Sequence, residues 1–185
     1  MRTIQPSFDP RLLKSAVFGA NDGIVTTFAV VAAVVGASLS PSIVVILGIA
    51  NMIADGLAMG LGDYLGERSE RLMRLKDDGK TSQDKLVLGD GLWHTGLVTF
   101  VAFVVAGSLP ILPFVLGAVG VPIAASWQFP LSILATGLAL FTVGVIRTKF
   151  TPCHWWRGGL EMLGIGAIAA TVAYVLGAWI EQYLR

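Results

Sequence analysis

Charge is what this chain of 185 residues has least of: Asp, Glu, Lys and Arg make up 14% of it, against 55% hydrophobic residues and a mean hydropathy of +0.75. A soluble domain covers itself with about 25% charged residues, so a water-soluble globule is excluded and the bilayer is the better solvent. The net charge of +1 offers no broad basic field, which removes nucleic acid from the candidate partners. Cysteine is nearly absent: Cys153 stands alone and cannot form an internal disulfide. The stretch MRTIQPSFDPRLLK holds no apolar core followed by a small-residue cleavage site. No secretory or organellar leader is therefore expected, and the first span is expected to be retained.

Apolar residues, in contrast, come in long runs. A bilayer core about 30 Å thick takes a helix of roughly 20 residues at about 1.5 Å rise each. Five such runs occur: Lys14–Ser38, Ser42–Gly66, Leu92–Phe114, Phe129–Arg147 and Gly158–Gln182. The expected fold is an all-α integral membrane protein, a single domain of five transmembrane helices over residues 1–185. Pro110 and Pro113 break helix geometry near the end of the third run, so the stretch VLGAVGVPIAASW after it is expected to be an outer loop. Lys and Arg set the orientation. Arg2, Arg11 and Lys14 precede or open the first run; Arg68, Arg71, Arg74, Lys76, Lys80 and Lys85 follow the second; Arg147, Lys149 and Arg157 follow the fourth. Together these are 12 of the 13 cations, and the links after the first and third runs hold none. Positive-inside sorting then predicts a cytoplasmic N-terminus and, with five spans, a C-terminus outside or in a lumen.

The strongly polar stretch is a short charged cytoplasmic link over residues 67–91. Glu67 and Arg71, and Glu70 and Arg74, stand four apart, so the second span is expected to continue as a solvated helix up to a turn at Asp77-Asp78-Gly79. A charged face in water is the simple interpretation, and a basic stripe against lipid headgroups is the alternative.

Carboxylates inside hydrocarbon need a partner, a water-filled path or a proton. Three lie in the first two spans: Asp22 in FGANDGIVTTFAVV, and Asp55 and Asp63 in NMIADGLAMGLGDYLG. If the antiparallel pair reverses around residues 39–42, residues whose numbers sum to about 81 share a depth. Asp22 is then level with Met59, roughly 10 Å in from the inner side. Asp55 lies deeper, level with Thr26, and Asp63 lies near the inner interface. At about 100° per residue, Asn51, Met52, Asp55, Met59 and Asp63 share one face of the second span. On the first span Ser15, Asp22, Thr26, Ala29, Ala33, Gly36 and Ser40 form a row of mostly small residues, which permits close approach of another helix or of a second copy of the chain. Carboxylate, amide, hydroxyl and thioether at one depth suit a divalent cation, and the soft thioether tilts the set toward a transition metal such as Fe²⁺ without singling one out. The alternative for Asp22 and Asp55 is a carboxyl neutralised by burial or tied to a backbone group. For Met59 it is ordinary gap filling.

Other polar residues carry less. Glu161 follows Arg157 at the inner interface, where pairing with that arginine or snorkelling is the default and catching cations at the mouth the alternative. Cys153 and His154 would need ligands brought from elsewhere to hold a metal, and His94 is expected to be interfacial or packed. Trp93, Trp155 and Trp156 are expected to anchor at headgroup level.

The blocks FGANDGIVTTFAVVAAVVGA, IANMIADGLAMGLGDYLGERSE, GSLPILPF and WWRGGLEMLGIGAIAATVAYVLG, which touch four of the five spans, resemble the vacuolar iron transporter family. The resemblance implies a homodimer of five-helix protomers with the pathway at the dimer interface, exporting Fe²⁺ from the cytosol in exchange for protons. It further implies that Asp22 and Met59 of both protomers are the membrane metal ligands, with Asp55 and Asp63 as second-rank candidates in the same motif. No resident cofactor is expected, the metal being cargo. Members with a full cytoplasmic metal-binding domain insert a long Glu-rich helical region between spans two and three, where this chain has only residues 67–91. Glu67, Glu70, Asp77, Asp78, Asp84 and Asp90 are too few, and too mixed with Lys and Arg, to map onto its ligands. Short members of this sort extend the expected cargo to Mn²⁺.

The expected function is thus a divalent-metal transporter and not an enzyme, with lipid, the metal ion, protons and a second copy as partners. Its place would be the plasma membrane of a prokaryote or the vacuolar membrane of a eukaryote. Two rivals stand beside it. ADGLAMGLGD is superficially similar to the motif of CDP-alcohol phosphotransferases, but Met59 stands where their arginine would be and the later Asp spacing differs. A non-transporting assembly partner suits the small-residue faces and leaves three carboxylates without a reason.

Overall fold

The computed structural model describes residues 10–77, 91–148 and 154–184, which form five α-helices. They are α1 (Pro10–Gly36), α2 (Pro41–Asp77), α3 (Leu92–Ala118), α4 (Ala125–Thr148) and α5 (Trp155–Leu184). Each is long and apolar enough to cross a membrane; even α4, with 24 residues, reaches about 36 Å. A helix satisfies its own backbone groups, which is what hydrocarbon demands, and exposed side chains such as Leu61, Leu138 and Ile168 give the bundle an apolar exterior. The protein is a multi-pass membrane protein.

Successive helices run antiparallel, and α1 touches all four others, most extensively α3. Its parallel contact with α3 is close enough that a Cβ at Gly19 would come within 2.5 Å of the Thr99 carbonyl oxygen, and Gly23 meets the Phe103 carbonyl in the same way one turn on. Without a hydrophobic drive between helices in lipid, such backbone approach supplies the packing energy. Ile24, Val31 and Phe103 are fully buried between these elements. The α2 helix lies to one side, packed on α3 and to a lesser extent on α1.

Two boundaries differ from the sequence-based expectation. The third span, which contains Pro110 and Pro113, runs one turn past Phe114 to Ala118, and α4 starts at Ala125, so the expected loop is shortened to residues 119–124. The two prolines are buried, and Ser132 Oγ donates to the Pro110 carbonyl at 2.5 Å, tying the segment to α4. Packing against a neighbouring helix helps a membrane helix keep a proline. The link that remains is closed by Gly120 at φ 92° and by Val121 N donating to Leu116 O at 3.0 Å, a Schellman ending.

The first span ends earlier than expected. Leu39 N donates to Val34 O and Ser38 N to Val35 O, the same Schellman pattern, so α1 stops at Gly36 and the reversal occupies residues 37–40. Ser38 takes the left-handed position with φ 54°, which costs a residue with a Cβ about 1–2 kcal/mol. Expected outcomes follow for unfolding in detergent. Ser38→Gly raises the melting temperature, and Ser38→Val, β-branched at positive φ, destabilises by a further ~1 kcal/mol or more. Equal stability of the three proteins would show that this turn does not set the reversal.

Candidate functional site

The polar residues of α1 and α2 are organised from the end of the bundle where α1 begins. There Asp63 Oδ2 accepts two hydroxyl hydrogen bonds, from Ser15 Oγ of α1 and Thr99 Oγ1 of α3, both at 2.7 Å. One carboxylate oxygen therefore joins three helices. One turn beyond it, Glu67 Oε1 accepts from Arg11 NH1 at 2.6 Å and from Arg71 Nε at 3.0 Å. Because Gly60 and Gly96 face each other, with a Cβ at Gly60 only 2.7 Å from the Gly96 carbonyl oxygen, α2 lies close enough to α3 for the short Thr99 side chain to reach Asp63.

These contacts measure the register of α1 against α2. Ser15 with Asp63 and Arg11 with Glu67 are pairs whose numbers sum to 78, not 81, because the reversal is at residues 37–40. Asp22 is therefore level with Gly56, beside Asp55, and Asp55 is level with Gly23 in place of Thr26. The expected pairing in depth of Asp22 with Met59 is corrected: Met59 lies three residues, about 4.5 Å, nearer the end where α1 begins. Asp22 and Asp55 thus come to one depth on neighbouring helices. Asn51 Nδ2 donates to Asp55 Oδ2 at 2.6 Å, one turn further along the same face of α2. Thr26 spends its hydroxyl hydrogen on the Asp22 backbone carbonyl at 2.8 Å.

Met59 is half-buried and packs against an apolar cluster that includes Met52 and Phe103. Met52 itself is buried in that core, so it does not belong with the carboxylates, although its helical phase is close to theirs. The small-residue row of α1 is also divided. Its far half is used inside the chain, where Gly36 lies against the Tyr174 carbonyl and Gly177 against that of Ala33, both contacts to α5. The near half holds Ser15, committed to Asp63, and Asp22.

Among the described residues no three His, Cys, Asp or Glu side chains converge as a metal cluster. One chain brings together two carboxylates, Asp22 and Asp55, the amide of Asn51 and, a turn away, the thioether of Met59. Asn21 was not singled out from sequence. Its Oδ1 is buried without a hydrogen-bond partner in the structure, and an amide next to a carboxylate in a hydrocarbon span is as anomalous as the carboxylate. Thr99 was missed as well, since a lone threonine in an apolar helix carries no signal until its partner is known.

At the periphery, α2 continues as a charged helix to Asp77, with Arg71 on Glu67 and Arg74 on Glu70 as i, i+4 pairs. Glu161 pairs with Arg147 of α4 and not with Arg157, which lies 5.2 Å over the Trp156 ring. An arginine placed before a glutamate is the weaker helical order, and α4 offers a cation directly across the interface. Trp93, Trp155 and Trp156 are exposed, as are His94, stacked on Trp93 at 4.0 Å, and His154. Cys153, the turn at Asp78-Gly79, Asp84 and Asp90 lie outside the described residues.

Comparison with known proteins adds an independent finding. The profile of the VIT family matches residues 13–87 and 83–178, two pieces that meet within the link between α2 and α3. The chain is 27% identical to a vacuolar iron transporter of Toxoplasma gondii, over 91% of this chain and 74% of that protein. It is 25% identical to one of Plasmodium falciparum, over 95% and 85%. It is also 25% identical to vacuolar iron transporter 1 of Arabidopsis thaliana, over 92% and 87%. The first alignment runs to 224 positions while using 91% of a 185-residue chain, so that relative carries segments this chain lacks.

The tie at Asp63 has a measurable worth. Ser15→Ala and Thr99→Val each remove one donor to a charged acceptor, and each is expected to lower unfolding free energy in detergent by about 1.5–3 kcal/mol. Asp63→Ala is expected to cost more than either, and Asp63→Asn, which keeps an acceptor oxygen, less than Asp63→Ala. Unchanged unfolding of both hydroxyl variants would show that the three helices do not depend on this carboxylate.

Proposed function

This chain belongs to the VIT family, and from that premise we propose that it carries a divalent transition-metal ion, Fe²⁺ or Mn²⁺, out of the cytosol in exchange for protons. The observation that carries the proposal is the register that sets Asp22 and Asp55 at one depth on neighbouring helices, with Asn51 fastened to Asp55. Two carboxylates within apolar helices repel each other unless a cation or a proton lies between them. The names of the relatives, vacuolar iron transporters, supply the class of cargo. Oxygen from Asp22 and Asp55 and sulfur from Met59 form a mixed donor set suited to a borderline ion such as Fe²⁺ rather than Ca²⁺.

One chain provides too few donors to surround such an ion. A second copy, related by a two-fold axis through the α1–α2 face, would double Asp22, Asp55 and Met59 around one path, and the homodimer is proposed on that ground. The end where α1 begins, with most of the Lys and Arg, is assigned to the cytosol by the positive-inside rule. An ion would enter there past Asp63, whose Oδ2 is committed to hydroxyls. Protonation of the Asp22–Asp55 pair removes charge and donor strength together, which releases the metal on the far side. The host membrane would be the plasma membrane of a prokaryote or the vacuolar membrane of a eukaryote. A phosphotransferase is not supported, since Asp63 of ADGLAMGLGD is occupied by Ser15 and Thr99.

Flux into liposomes, run for Fe²⁺, Mn²⁺ and Ca²⁺ with and without a pH gradient, tests the proposal. Fe²⁺ or Mn²⁺ flux should rise with the gradient and exceed that of Ca²⁺. Asp22→Asn and Asp55→Asn should each cut it at least about tenfold, the worth of one charged contact. Met59→Leu should shift the preference toward the harder Mn²⁺. Wild-type flux by folded Asp22→Asn protein would overturn the assignment.

A further inference from the structure

A groove of about 350 Å³ runs between α2 and α3 on the exposed surface of the bundle, lined by Leu57, Leu61, Leu97 and Phe100. We propose that it holds an acyl chain of an anionic phospholipid whose phosphate is taken by Arg68. Gly60 and Gly96, buried where the two helices touch, form the floor of the groove, and its volume is at the lower end of small-ligand sites. Leu57, Leu61 and Leu97 are exposed. Tyr64 and Trp93 line the end nearer the start of α1, and rings of this kind settle where hydrocarbon meets headgroups. The groove thus has an apolar body and one interfacial end, which suits a lipid tail lying below its headgroup.

Arg68 supplies the charge. Leu57, Leu61, Tyr64 and Arg68 follow one another at intervals of four, three and four, so they form one stripe along α2. Tyr64 lies against Gly96 of the antiparallel α3. One turn beyond it, Arg68 comes level with the first turn of α3, which holds Trp93, and this is the depth of lipid phosphate. The residues three and four positions from Arg68 are Tyr64, Leu65, Arg71 and Leu72, none of them acidic. Glu67 is shared by Arg11 and Arg71, and Glu70 pairs with Arg74. Arg68 is exposed and, among the described residues, makes no ion pair. A free guanidinium offers a phosphate its fork of donors, and one standing alone favours a headgroup that carries no cation of its own. A second groove, of about 300 Å³ between α3 and α4, is lined by Leu131, Leu134 and Leu138 among others and has no Lys or Arg in its lining, so the same reasoning assigns it no headgroup. Tyr64 stands half a turn round α2 from Asp55 at about 100° per residue. A lipid here leaves the carboxylate face clear, and the proposal does not rest on the transport reading.

Native mass spectrometry of the full chain from detergent, with dioleoyl phosphatidylglycerol, dioleoyl phosphatidylcholine or dioleoyl glycerol added, tests it. Phosphatidylglycerol should be retained about tenfold more strongly than either of the others, the worth of one charge-assisted hydrogen bond. Arg68→Gln should remove that advantage. Leu97→Trp, which fills the groove and leaves Arg68 in place, should weaken retention of phosphatidylglycerol in the same direction, whereas Leu134→Trp in the second groove should leave it unchanged. All three side chains are exposed, and the melting temperature of each variant without added lipid checks that it is folded. Equal retention of phosphatidylglycerol by wild type and either Arg68→Gln or Leu97→Trp would overturn the proposal. Retention of phosphatidylcholine or dioleoyl glycerol as strong as that of phosphatidylglycerol would overturn it too, as would an equal loss in Leu97→Trp and Leu134→Trp.

Discussion

Two hydroxyls donating to one carboxylate oxygen hold the first three helices together. Ser15 and Thr99 meet at Asp63 Oδ2, and a carboxylate at that depth without donors would be costly enough to force a rearrangement. Its demand for partners is therefore a positional constraint: α1 and α3 must present their hydroxyls at the same height on α2. Eight residues further along α2, about 12 Å at the helical rise, the same register brings Asp55 opposite Asp22. Satisfied polar groups near one end of the bundle thus determine which carboxylates share a depth further in.

Among the described carboxylates the partners differ in kind. Glu67, Glu70 and Glu161 each have an arginine, and Asp63 has its hydroxyls. Asp22 shares its depth with another carboxylate, Asp55, and Asn21, next to it in sequence, has a buried acceptor without a partner. Asp63 has two hydroxyl donors and the three glutamates have arginines, whereas Asp55 has the single amide of Asn51. Close packing makes this tolerable: backbone contact between α1 and α3 at Gly19 and Gly23 gives the helices a stable interface that does not draw on the carboxylates.

Much of the fold was legible because its signals are one-dimensional. A run of some twenty apolar residues can be counted, and a carboxylate inside one is an anomaly wherever its helix ends up. The i, i+4 pairs that carry α2 beyond the membrane were visible for the same reason, since both partners lie on one helix. Asp22, Asp55, Asp63 and Asn51 stood out by residue type, and the motifs around them led to the family. The error at the third span came from applying the soluble rule for proline. Hydrocarbon penalises an open loop more than a strained helix, and Ser132 of another helix was there to brace it.

Span number, the polar outliers and family membership were thus determined by the sequence alone. Tertiary structure decided the axial shift of α1 against α2, the choice of Arg147 over Arg157 for Glu161, the removal of Met52 into the core and the use of Gly36 by α5. Each of these depends on where a turn ends a helix and how two helices rotate to bury their side chains. A single left-handed residue, Ser38, moves the reversal and with it every pair of residues that meet across the membrane. Periodicity fixes the face on which a residue lies, but the height at which it meets a neighbour is set by contacts between helices.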